Sequence, residues 1–417
     1  ELEGQIRVGS VHAAGFFVDQ EPLENIVGVE AIPGKPRVIA CDMNFAAQQG
    51  FLKIDALSVE MMSGVAEILD TLGHDFDWLY RLPLDDAPTY EMLSRGRNMG
   101  VFQLKGHSTG KLLLQLQPSH INDLVALAAL GRPGPLQSGG AAEYIERKHG
   151  RTVMPAYHAK VMDILGETYG VVIYQEQVMG LMRVAGFDWP IVHKVRKLIS
   201  KSGGAAAVDQ FHSAYTLGMR QGGVAAGEAE HLWEQCKRAG GYVFNKAHGA
   251  MYALHAYWTA YLKCHHPAIF ACIMANHEQK EAFQRQILRE FRQQGGTLVL
   301  RDPNRSEQKF SSPEPNTILG GFQTLKGVGP GHAEKIIAKR PYRDWTHFLL
   351  NCPSSLAYDL QAAGVHTGEV DLDSALVIAP WFVNVKYLPI EKAAVQRFRV
   401  PPIRDIHHDM DGTKGSR

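Results

Sequence analysis

The sequence predicts an α+β protein that is mostly α-helical: a small sheet region comes first, then a long helical region, then a short strand-and-turn module. Short β-rich runs punctuated by Gly, Pro and Asn fill the first part of the chain, up to about residue 59. Apolar residues then recur at helical spacing from Glu60 to about His277, and short strands return after Gln294. At 417 residues, 45% apolar and 21% charged, the chain has room for about three domains.

Composition excludes several classes of protein. Lys and Arg (43) balance Asp and Glu (43), so net charge neither indicates nor excludes a polynucleotide partner, which would have to bind a local patch. The apolar runs fall short of the roughly 20 residues of a membrane helix, which predicts no membrane association. The five cysteines form no CxxC pair, which favours reduced thiols and a cytoplasmic location. Because the chain opens with Glu1 rather than Met, we expect it to be the interior of a longer protein.

The opening sheet region contains one candidate metal ligand. Strands are predicted at Gly15–Asp19, Arg37–Asp42 and Phe51–Leu57, and alternation along the last of these puts Lys53 and Asp55 on one face. The pair is either a surface ion pair of little energetic value or part of a Mg²⁺ site, because Mg²⁺ prefers a few carboxylates together with substrate phosphates. A single Asp cannot hold two metal ions, so partners would have to come from elsewhere.

The helical region is interrupted once before its basic centre. Helical spacing after Glu60 continues to about residue 130, where Arg132–Pro135 (RPGP) predicts a rigid extended turn. Beyond it, Gly170–Met182 passes from a β-branched run into a helix, and Val192–Ile199 forms another helix. A long helical block follows from about Glu228 to His277.

Positive charge is concentrated around the helix at 192–199. Arg196, Lys197 and Lys201 lie within about one and a half turns, so one helix end could present them to a polyanion. The alternative is an ordinary solvated basic face.

A second polar group lies inside the long helical block. His248 and Tyr252 stand at i and i+4 on one helical face, and Asn245 is placed to cap the helix, with Lys246 between them. In a chain with 19 histidines the alternative is a structural His.

The module after Gln294 contains a glycine turn before a helix. Gly327 and Gly329 precede an apolar-periodic helix, an arrangement whose backbone N–H groups suit a phosphate, although an ordinary glycine turn has the same pattern. With Lys335, Lys339 and Arg340 nearby, the segment resembles a helix-hairpin-helix module, which binds duplex backbone without reading sequence. A weaker second hairpin is predicted at Leu360–Gly364.

Taken in order, ten motifs from residue 11 to residue 331 resemble the bacterial replicative DNA polymerases of the C family, of the DNA polymerase III alpha type, and the resemblance extends from residue 1 to about residue 367. The motifs are VHAAGF (11–16), FLKIDAL (51–57), PLDD (83–86), GVFQL (100–104), RPGPLQSG (132–139), IERKHGR (145–151), ETYGVVIYQEQVM (167–179), GYVFNKAH (241–248), YLKCHHP (261–267) and LKGVGPG (325–331).

The resemblance implies a domain order and a DNA polymerase activity. Residues 1–85 would be a partial mixed-sheet palm of the polymerase-beta-like nucleotidyltransferase type, with palm and thumb helices returning to about residue 130. Residues 86–295 would form the helical thumb and fingers, 296–370 the helix-hairpin-helix region, and 371–417 an unassigned tail. The reaction would be template-directed attack of a primer 3′-hydroxyl on the α-phosphate of a deoxynucleoside triphosphate, with two Mg²⁺ ions. The implied partners are primed template DNA, deoxynucleoside triphosphates, a sliding clamp and other replisome subunits.

The resemblance also implies roles for single residues. Asp55 would be the third palm carboxylate on Mg²⁺, with Lys53 beside it facing the active site. The triphosphate would be contacted by Arg196 and Lys197, with support from Lys201. The remaining implied nucleotide contacts are Arg132 of the RPGP motif, Asn245, Lys246, His248 and Tyr252. The Tyr252 ring would stack beside the sugar and base. Gly327, Gly329 and Lys335 would contact DNA.

Departures from the family pattern leave other hypotheses open. The family's upstream P-D-x-D-x-D-F aspartates are absent, so we expect this chain to be catalytically incomplete by itself. Ser58, Gly131 and Lys197 replace family residues, as in a divergent or phage-borne member. The alternative is a DNA-binding accessory or remnant protein. A helix-hairpin-helix nuclease or repair factor would need its own ligand cluster, for which the candidates are Asp371, Asp373, His407, His408 and Asp409.

Overall fold

The computed structural model describes residues 11–12, 14–34, 36–56, 59–132, 136, 139–199, 207–239, 243–325, 327–343, 347–348 and 351. These residues fall into two compact units that divide between Thr297 and Leu298, with Glu314–Asn316 belonging to the first unit. The described chain is mostly helical with small sheets, which confirms the α+β, mostly α class. No helix within the described ranges has the length and apolar character required to cross a bilayer.

The first unit opens with two small antiparallel sheets. Strand β1 (Gly15–Val18) pairs with β4 (Leu52–Asp55), and β2 (Val29–Glu30) pairs with β3 (Val38–Ile39). The strand predicted over 37–42 is therefore only two residues long, and Asp55 ends its strand instead of lying within it. In these two sheets the pairing is antiparallel, so the mixed sheet predicted for a palm is not found among the described residues.

Helices make up the rest of the first unit, and polar caps explain several of their starts. Asp75 and Asp86 each accept a hydrogen bond from a backbone N–H one turn into the helix that follows. The helices are α1 (Met43–Gln48), α2 (Met61–Leu72), α3 (Phe76–Tyr80), α4 (Ala87–Ser94), α5 (His107–Leu116), α6 (Ile121–Leu130), α7 (Gly140–Lys148), α8 (Ala159–Leu165), α9 (Gln175–Val184), α10 (Trp189–Ile199), α11 (His212–Gln221), α12 (Ala226–Arg238), α13 (Lys246–His265), α14 (Pro267–His277) and α15 (Glu281–Gln293).

The helical block predicted over 228–277 consists of three helices. Helix α12 ends at Arg238, and α13 begins only at Lys246. Pro267 is the first residue of α14. It has no backbone N–H to continue α13, so α13 ends at His265 and His266 separates the two helices.

Two apolar clusters hold the helices of the first unit in place. Helix α13 packs against α4 and α6, and its Tyr257 and Trp258 are among the largest fully buried side chains. A second cluster joins α8 to α12 around Val178, Val195 and Trp233. Burial of such side chains stabilises the fold by about 1.5–3 kcal/mol each.

The second unit is smaller. Its strands β5 (Thr297–Val299), β6 (Ser311–Glu314) and β7 (Thr317–Leu319) are arranged in the order β5-β7-β6, and β5 begins at the unit boundary. Helix α16 (Pro330–Ala338) follows, and an apolar cluster that includes Phe322, Val328 and Ile336 holds its start. The second hairpin predicted at 360–364 and the tail from 371 lie outside the described residues.

Candidate functional site

A backbone bridge joins the start of α9 to the segment before α13. Tyr174 and Phe244 form an isolated parallel bridge, in which the Gln175 N–H donates to the Phe244 carbonyl at 2.9 Å and the Phe244 N–H donates to the Ile173 carbonyl at 3.1 Å. The Gln175 side chain adds a bond from Nε2 to the Val243 carbonyl at 3.1 Å. We call this the Tyr174–Phe244 bridge. It fixes the starts of two helices beside each other.

The first turn of α13 is capped by two side chains. The Asn245 Oδ1 accepts the His248 N–H at 2.7 Å, which confirms the capping predicted from the sequence. The Glu176 carboxylate accepts the Lys246 N–H at 3.0 and 3.1 Å. Glu176 lies in the first turn of α9, so it ties that helix to α13 across the bridge.

The Phe244 ring forms the floor of an aromatic and basic surface. The Arg132 guanidinium lies over this ring, 4.7 Å from its centroid, and His248 meets its edge at 5.6 Å. A Cβ at Gly249 would lie 2.9 Å from Phe244 Cε1, so only glycine leaves room for the ring. The cation–π contact orients an exposed arginine above the bridge.

The predicted shared face of His248 and Tyr252 is confirmed. Their ring centroids are 4.1 Å apart, and Tyr252 lies 5.2 Å from the buried ring of Phe102. His248 is exposed and Tyr252 is partly buried, so a small aromatic surface extends from the bridge along α13.

Arg196 reaches the bridge from α10. Its Nη1 donates to the Gln175 Oε1 at 3.1 Å, so one Gln side chain holds both Arg196 and the Val243 carbonyl. Lys197, the next residue, is exposed and forms no ion pair with another described residue. Lys201 lies outside the described residues.

Lys246 already has a counter-ion. Its Nζ lies 2.7 Å from both carboxylate oxygens of Glu167, and it stands 5.8 Å from the centroid of the Tyr174 ring. Both members of the ion pair are more than a third exposed, so solvent weakens the attraction. Spacing along the chain indicates no role for Glu167, Gln175 or Glu176, although all three lie in the ETYGVVIYQEQVM motif.

Three cationic side chains from separate segments therefore gather around the Tyr174–Phe244 bridge: Arg132, Arg196 and Lys246. Guanidinium and ammonium groups attract phosphate groups, and Arg forms paired hydrogen bonds with phosphate oxygens. The arrangement can bind a polyanion, while the rings of His248 and Tyr252 offer a stacking surface.

Asp55 lies in a different setting. Lys53 Nζ is 2.6 Å from its Oδ1 and 2.7 Å from its Oδ2, and the His12 Nε2 lies 3.9 Å away. The hydrogen bond from Lys53 lowers the pKa of Asp55. Alternation did place the two side chains together, and what results is an ion pair on an exposed strand end.

The residues around Asp55 do not fit a Mg²⁺ site by themselves. Mg²⁺ requires near-octahedral oxygen coordination, usually from more than one carboxylate or from substrate phosphates. Within the described ranges, Asp55 belongs to no group of three side chains close enough to share an ion, and Lys53 contacts both of its oxygens. A metal site here would need further carboxylates and displacement of Lys53.

The glycine turn of the second unit is exposed. Gly327 has φ of 90°, in the left-handed region that favours glycine, and Gly329 caps α16. A Cβ at Gly327, Gly329 or Gly331 would meet no atom within 4 Å, so the turn is open to a large ligand.

The basic side chains near this turn differ in whether they bond to other parts of the second unit. Lys335 is exposed on α16. Lys339 Nζ donates to the Asn351 carbonyl at 2.7 Å, and Arg340 Nε donates to the Pro303 carbonyl at 2.8 Å, so these two side chains help to hold the fold.

Comparison with known proteins agrees with the resemblance found in the sequence. Residues 59–223 match the bacterial DNA polymerase III alpha subunit finger domain. The chain is 33% identical over 351 residues to the DNA polymerase III subunit alpha of Aquifex aeolicus, covering 83% of this chain and 30% of that protein. It is 34% identical over 362 residues to the same subunit of Saccharopolyspora erythraea, covering 84% of this chain and 30% of the relative.

A relative with a different name matches to a similar extent. The error-prone DNA polymerase of Teredinibacter turnerae is 31% identical over 351 residues, covering 80% of this chain and 34% of that protein. The chain thus spans about a third of the length of the relatives it matches.

The stretch that matches a polymerase finger domain includes α9, α10 and Tyr174 of the Tyr174–Phe244 bridge. The chain itself belongs to the family of bacterial DNA polymerase III alpha subunits.

Proposed function

We propose that this chain takes part in template-directed DNA synthesis by binding a deoxynucleoside triphosphate on its finger surface and primed template DNA beside it. The observation that carries the proposal is the convergence of Arg132, Arg196 and Lys246 on the Tyr174–Phe244 bridge. A triphosphate is a compact polyanion, and side chains fixed around one bridge bind it with little loss of conformational freedom.

Arg196 is the principal triphosphate ligand in this proposal. Its bond to Gln175 holds the guanidinium beside the bridge, and a planar guanidinium can form paired hydrogen bonds with phosphate oxygens. Lys197, which is exposed on the same helix, adds charge from the adjoining face, and we assign Lys201 a supporting role on the strength of the family resemblance.

Lys246 is proposed to exchange the Glu167 carboxylate for a phosphate of the bound triphosphate. It binds Glu167 in this structure, and a triphosphate with several negative charges would compete for the same ammonium group. The nearby Asn245 contributes by capping α13, which fixes the position of Lys246 and His248.

The sugar and base are proposed to lie along α13. His248 and Tyr252 present adjoining rings, and aromatic rings stack on bases of any sequence. Arg132, held over Phe244, stands where it can contact either the phosphates or the base.

Asp55 is proposed to join a Mg²⁺ site only together with carboxylates beyond the described residues. Two Mg²⁺ ions in such a site would stabilise the attacking and leaving oxygens of nucleotidyl transfer. Lys53 neutralises Asp55 until those partners and the substrate phosphates are present. The palm assignment of residues 1–85 rests on the same resemblance.

The exposed glycine turn is proposed to contact duplex DNA. Gly327 and Gly329 allow close approach of a phosphate, and Lys335 adds a charge on the helix that follows. The thumb and fingers at 86–295, the hairpin region at 296–370, a cytoplasmic location, and a sliding clamp with other replisome subunits as partners are further parts of the proposal, supported by the family resemblance.

The experiment that tests this function measures two affinities of the 417-residue chain. Calorimetric titration with a deoxynucleoside triphosphate and fluorescence anisotropy with a primed template are both expected to give saturable binding. DNA binding without any nucleotide binding would favour the accessory or remnant protein instead. Absence of both would contradict the proposal.

A further inference from the structure

Three different types of metal ligand meet where the start of α4 contacts the end of α13. The carboxylate of Asp86, the thiol of Cys264 and the imidazole of His265 have ligand atoms within 4.8 Å of one another. Within the described part of the chain no other group of three His, Cys, Asp or Glu side chains is as close. The two helices are far apart in sequence, so packing and not local geometry creates the group.

Contacts with neighbouring residues hold the three ligands in position. Asp86 caps α4, and its Oδ2 accepts hydrogen bonds from the Thr89 N–H at 3.0 Å and from the Thr89 hydroxyl at 2.6 Å. The His265 Nε2 lies 3.0 Å from the same oxygen, and the Tyr261 ring lies against the tilted His265 ring, with 4.2 Å between their centroids. The other oxygen, Oδ1, forms no hydrogen bond to a described residue, so it is available to an ion.

The two acidic ligands, Asp86 and Cys264, have pKa shifts of opposite direction. Burial raises the pKa of Cys264, a hydrogen bond with Thr89 opposes the rise, and the charges of Asp86 and Glu91 add to it. Burial would also raise the pKa of Asp86, but hydrogen bonds from Thr89 and His265 outweigh it and keep the pKa below its usual value. Asp86 is therefore ionised at neutral pH, and a bound cation would favour the thiolate of Cys264.

Cys264 also opens onto a cavity of about 260 Å³, whose lining includes Met92 and Arg95. The Arg95 guanidinium is paired with Glu91, so its charge is balanced inside the cavity wall. A cavity of this size has room for water molecules. Because Cys264 lines it, an ion and a fourth, water ligand would reach the three side chains from this cavity.

We propose that Asp86, Cys264 and His265 form a Zn²⁺ site, with water in the fourth position. Thiolate, imidazole and carboxylate together are the donor set that Zn²⁺ accepts, whereas Mg²⁺ and Ca²⁺ select oxygen ligands. On binding, the Cys264 thiol gives up its proton to solvent. His265 binds as the neutral ring through Nε2, which leaves its present contact with Asp86. The ion would link α4 to α13.

Co²⁺ is the spectroscopic probe for this site, because it takes the same tetrahedral ligands as Zn²⁺ and absorbs light. The 417-residue chain, stripped with a chelator, is titrated with Co²⁺. We expect one Co²⁺ per chain, a thiolate-to-cobalt absorption band in the near ultraviolet, and loss of that band when Zn²⁺ displaces the probe. Zn²⁺ should also raise the unfolding temperature, because it binds only the folded site.

Matched variants identify the ligands. Cys264→Ser should abolish the thiolate band and weaken Co²⁺ binding by at least about tenfold. Loss of a residue that only supports a metal ligand already costs about tenfold, and loss of a direct ligand should cost no less. Cys41→Ser, which removes another thiol of the first unit, should leave the band unchanged. Asp86→Asn keeps the helix cap, because Asn caps as well as Asp, while it removes the charged ligand, and it too should weaken binding.

Three results would overturn the proposal: no thiolate band in the unaltered chain, a band that survives Cys264→Ser, or Co²⁺ binding that Asp86→Asn and His265→Asn both leave unchanged. Circular dichroism of each metal-free variant shows whether it is folded, so a loss of binding is assigned to the missing ligand only where the apo fold is retained.

Discussion

The Gln175 side chain accepts a hydrogen bond from Arg196 at 3.1 Å while it donates one to the Val243 carbonyl. One residue thus connects α10 to the segment that leads into α13. Because Arg196 is the principal triphosphate ligand of the proposed function, Gln175 is a positioning residue that acts through it.

Gln175→Ala is expected to weaken deoxynucleotide binding about three- to tenfold. The reason is that a hydrogen bond to a charged group contributes about 1.5–3 kcal/mol when well buried, and Gln175 is only partly buried. Calorimetric titration measures the change, with Gln221→Ala, on the exposed end of α11, as the matched control. A general loss of structure would lower the unfolding temperature as well, and an unaltered nucleotide affinity would contradict the positioning role.

Glu167→Gln is expected to strengthen nucleotide binding. The substitution removes the charge that binds Lys246, so the ammonium group no longer has to leave a carboxylate to reach a phosphate. The gain should be no more than about fivefold, because an exposed ion pair contributes at most about 1 kcal/mol. Glu230→Gln, which alters an exposed carboxylate paired with His212, is the control and should change nothing. A weaker affinity in Glu167→Gln would mean that Glu167 orients Lys246 instead of restraining it.

Gly329→Ala should reduce duplex DNA affinity, with only the small loss of stability that alanine causes at a helix N-cap. The backbone φ at Gly329 is −82°, which alanine adopts readily, and no protein atom lies within 4 Å of the added methyl group. The methyl group would instead obstruct a DNA phosphate that approaches the turn, which we expect to cost several-fold in affinity. Anisotropy titration with a labelled duplex measures the effect, and Gly227→Ala, at an equally open position, is the control. Equal DNA affinities for the two variants would remove the turn from the DNA-binding surface.

Asp55→Ala is expected to abolish nucleotide incorporation in a polymerase that contains this chain, while its DNA affinity stays nearly unchanged. The reason is that a metal-binding carboxylate acts on the reacting phosphates and not on the duplex. Primer extension with Mg²⁺ measures incorporation, and Asp70→Ala, an exposed carboxylate on α2, serves as the control. Near-normal extension by the Asp55 variant would reject the metal-ligand assignment.

Local features of the site could be predicted from the sequence. The Asn245 cap and the shared face of His248 and Tyr252 follow from helical spacing, since residues three or four apart are neighbours on one face of a helix. The ion pair of Lys53 with Asp55 follows likewise from the alternation of side chains along a strand.

The partners that reach across the fold could not be predicted in this way. Glu167 and Lys246 are 79 residues apart, and they meet only because α9 and α13 begin on either side of the Tyr174–Phe244 bridge. Apolar spacing likewise does not mark every point at which the helical block over 228–277 divides into three helices. Apolar spacing continues across that block, while the helical structure is interrupted at the Tyr174–Phe244 bridge and at Pro267.

The proposed function depends above all on Arg196 binding a deoxynucleoside triphosphate on the surface around the Tyr174–Phe244 bridge. The most direct measurement is calorimetric titration of a deoxynucleoside triphosphate into the 417-residue chain, its Arg196→Ala variant and the control Arg220→Ala, an exposed arginine at the end of α11. We predict an affinity about tenfold or more weaker for Arg196→Ala alone, because charge-assisted bonds to phosphate contribute about 1.5–3 kcal/mol. Equal affinities for all three proteins, or no binding by the unaltered chain, would contradict the account.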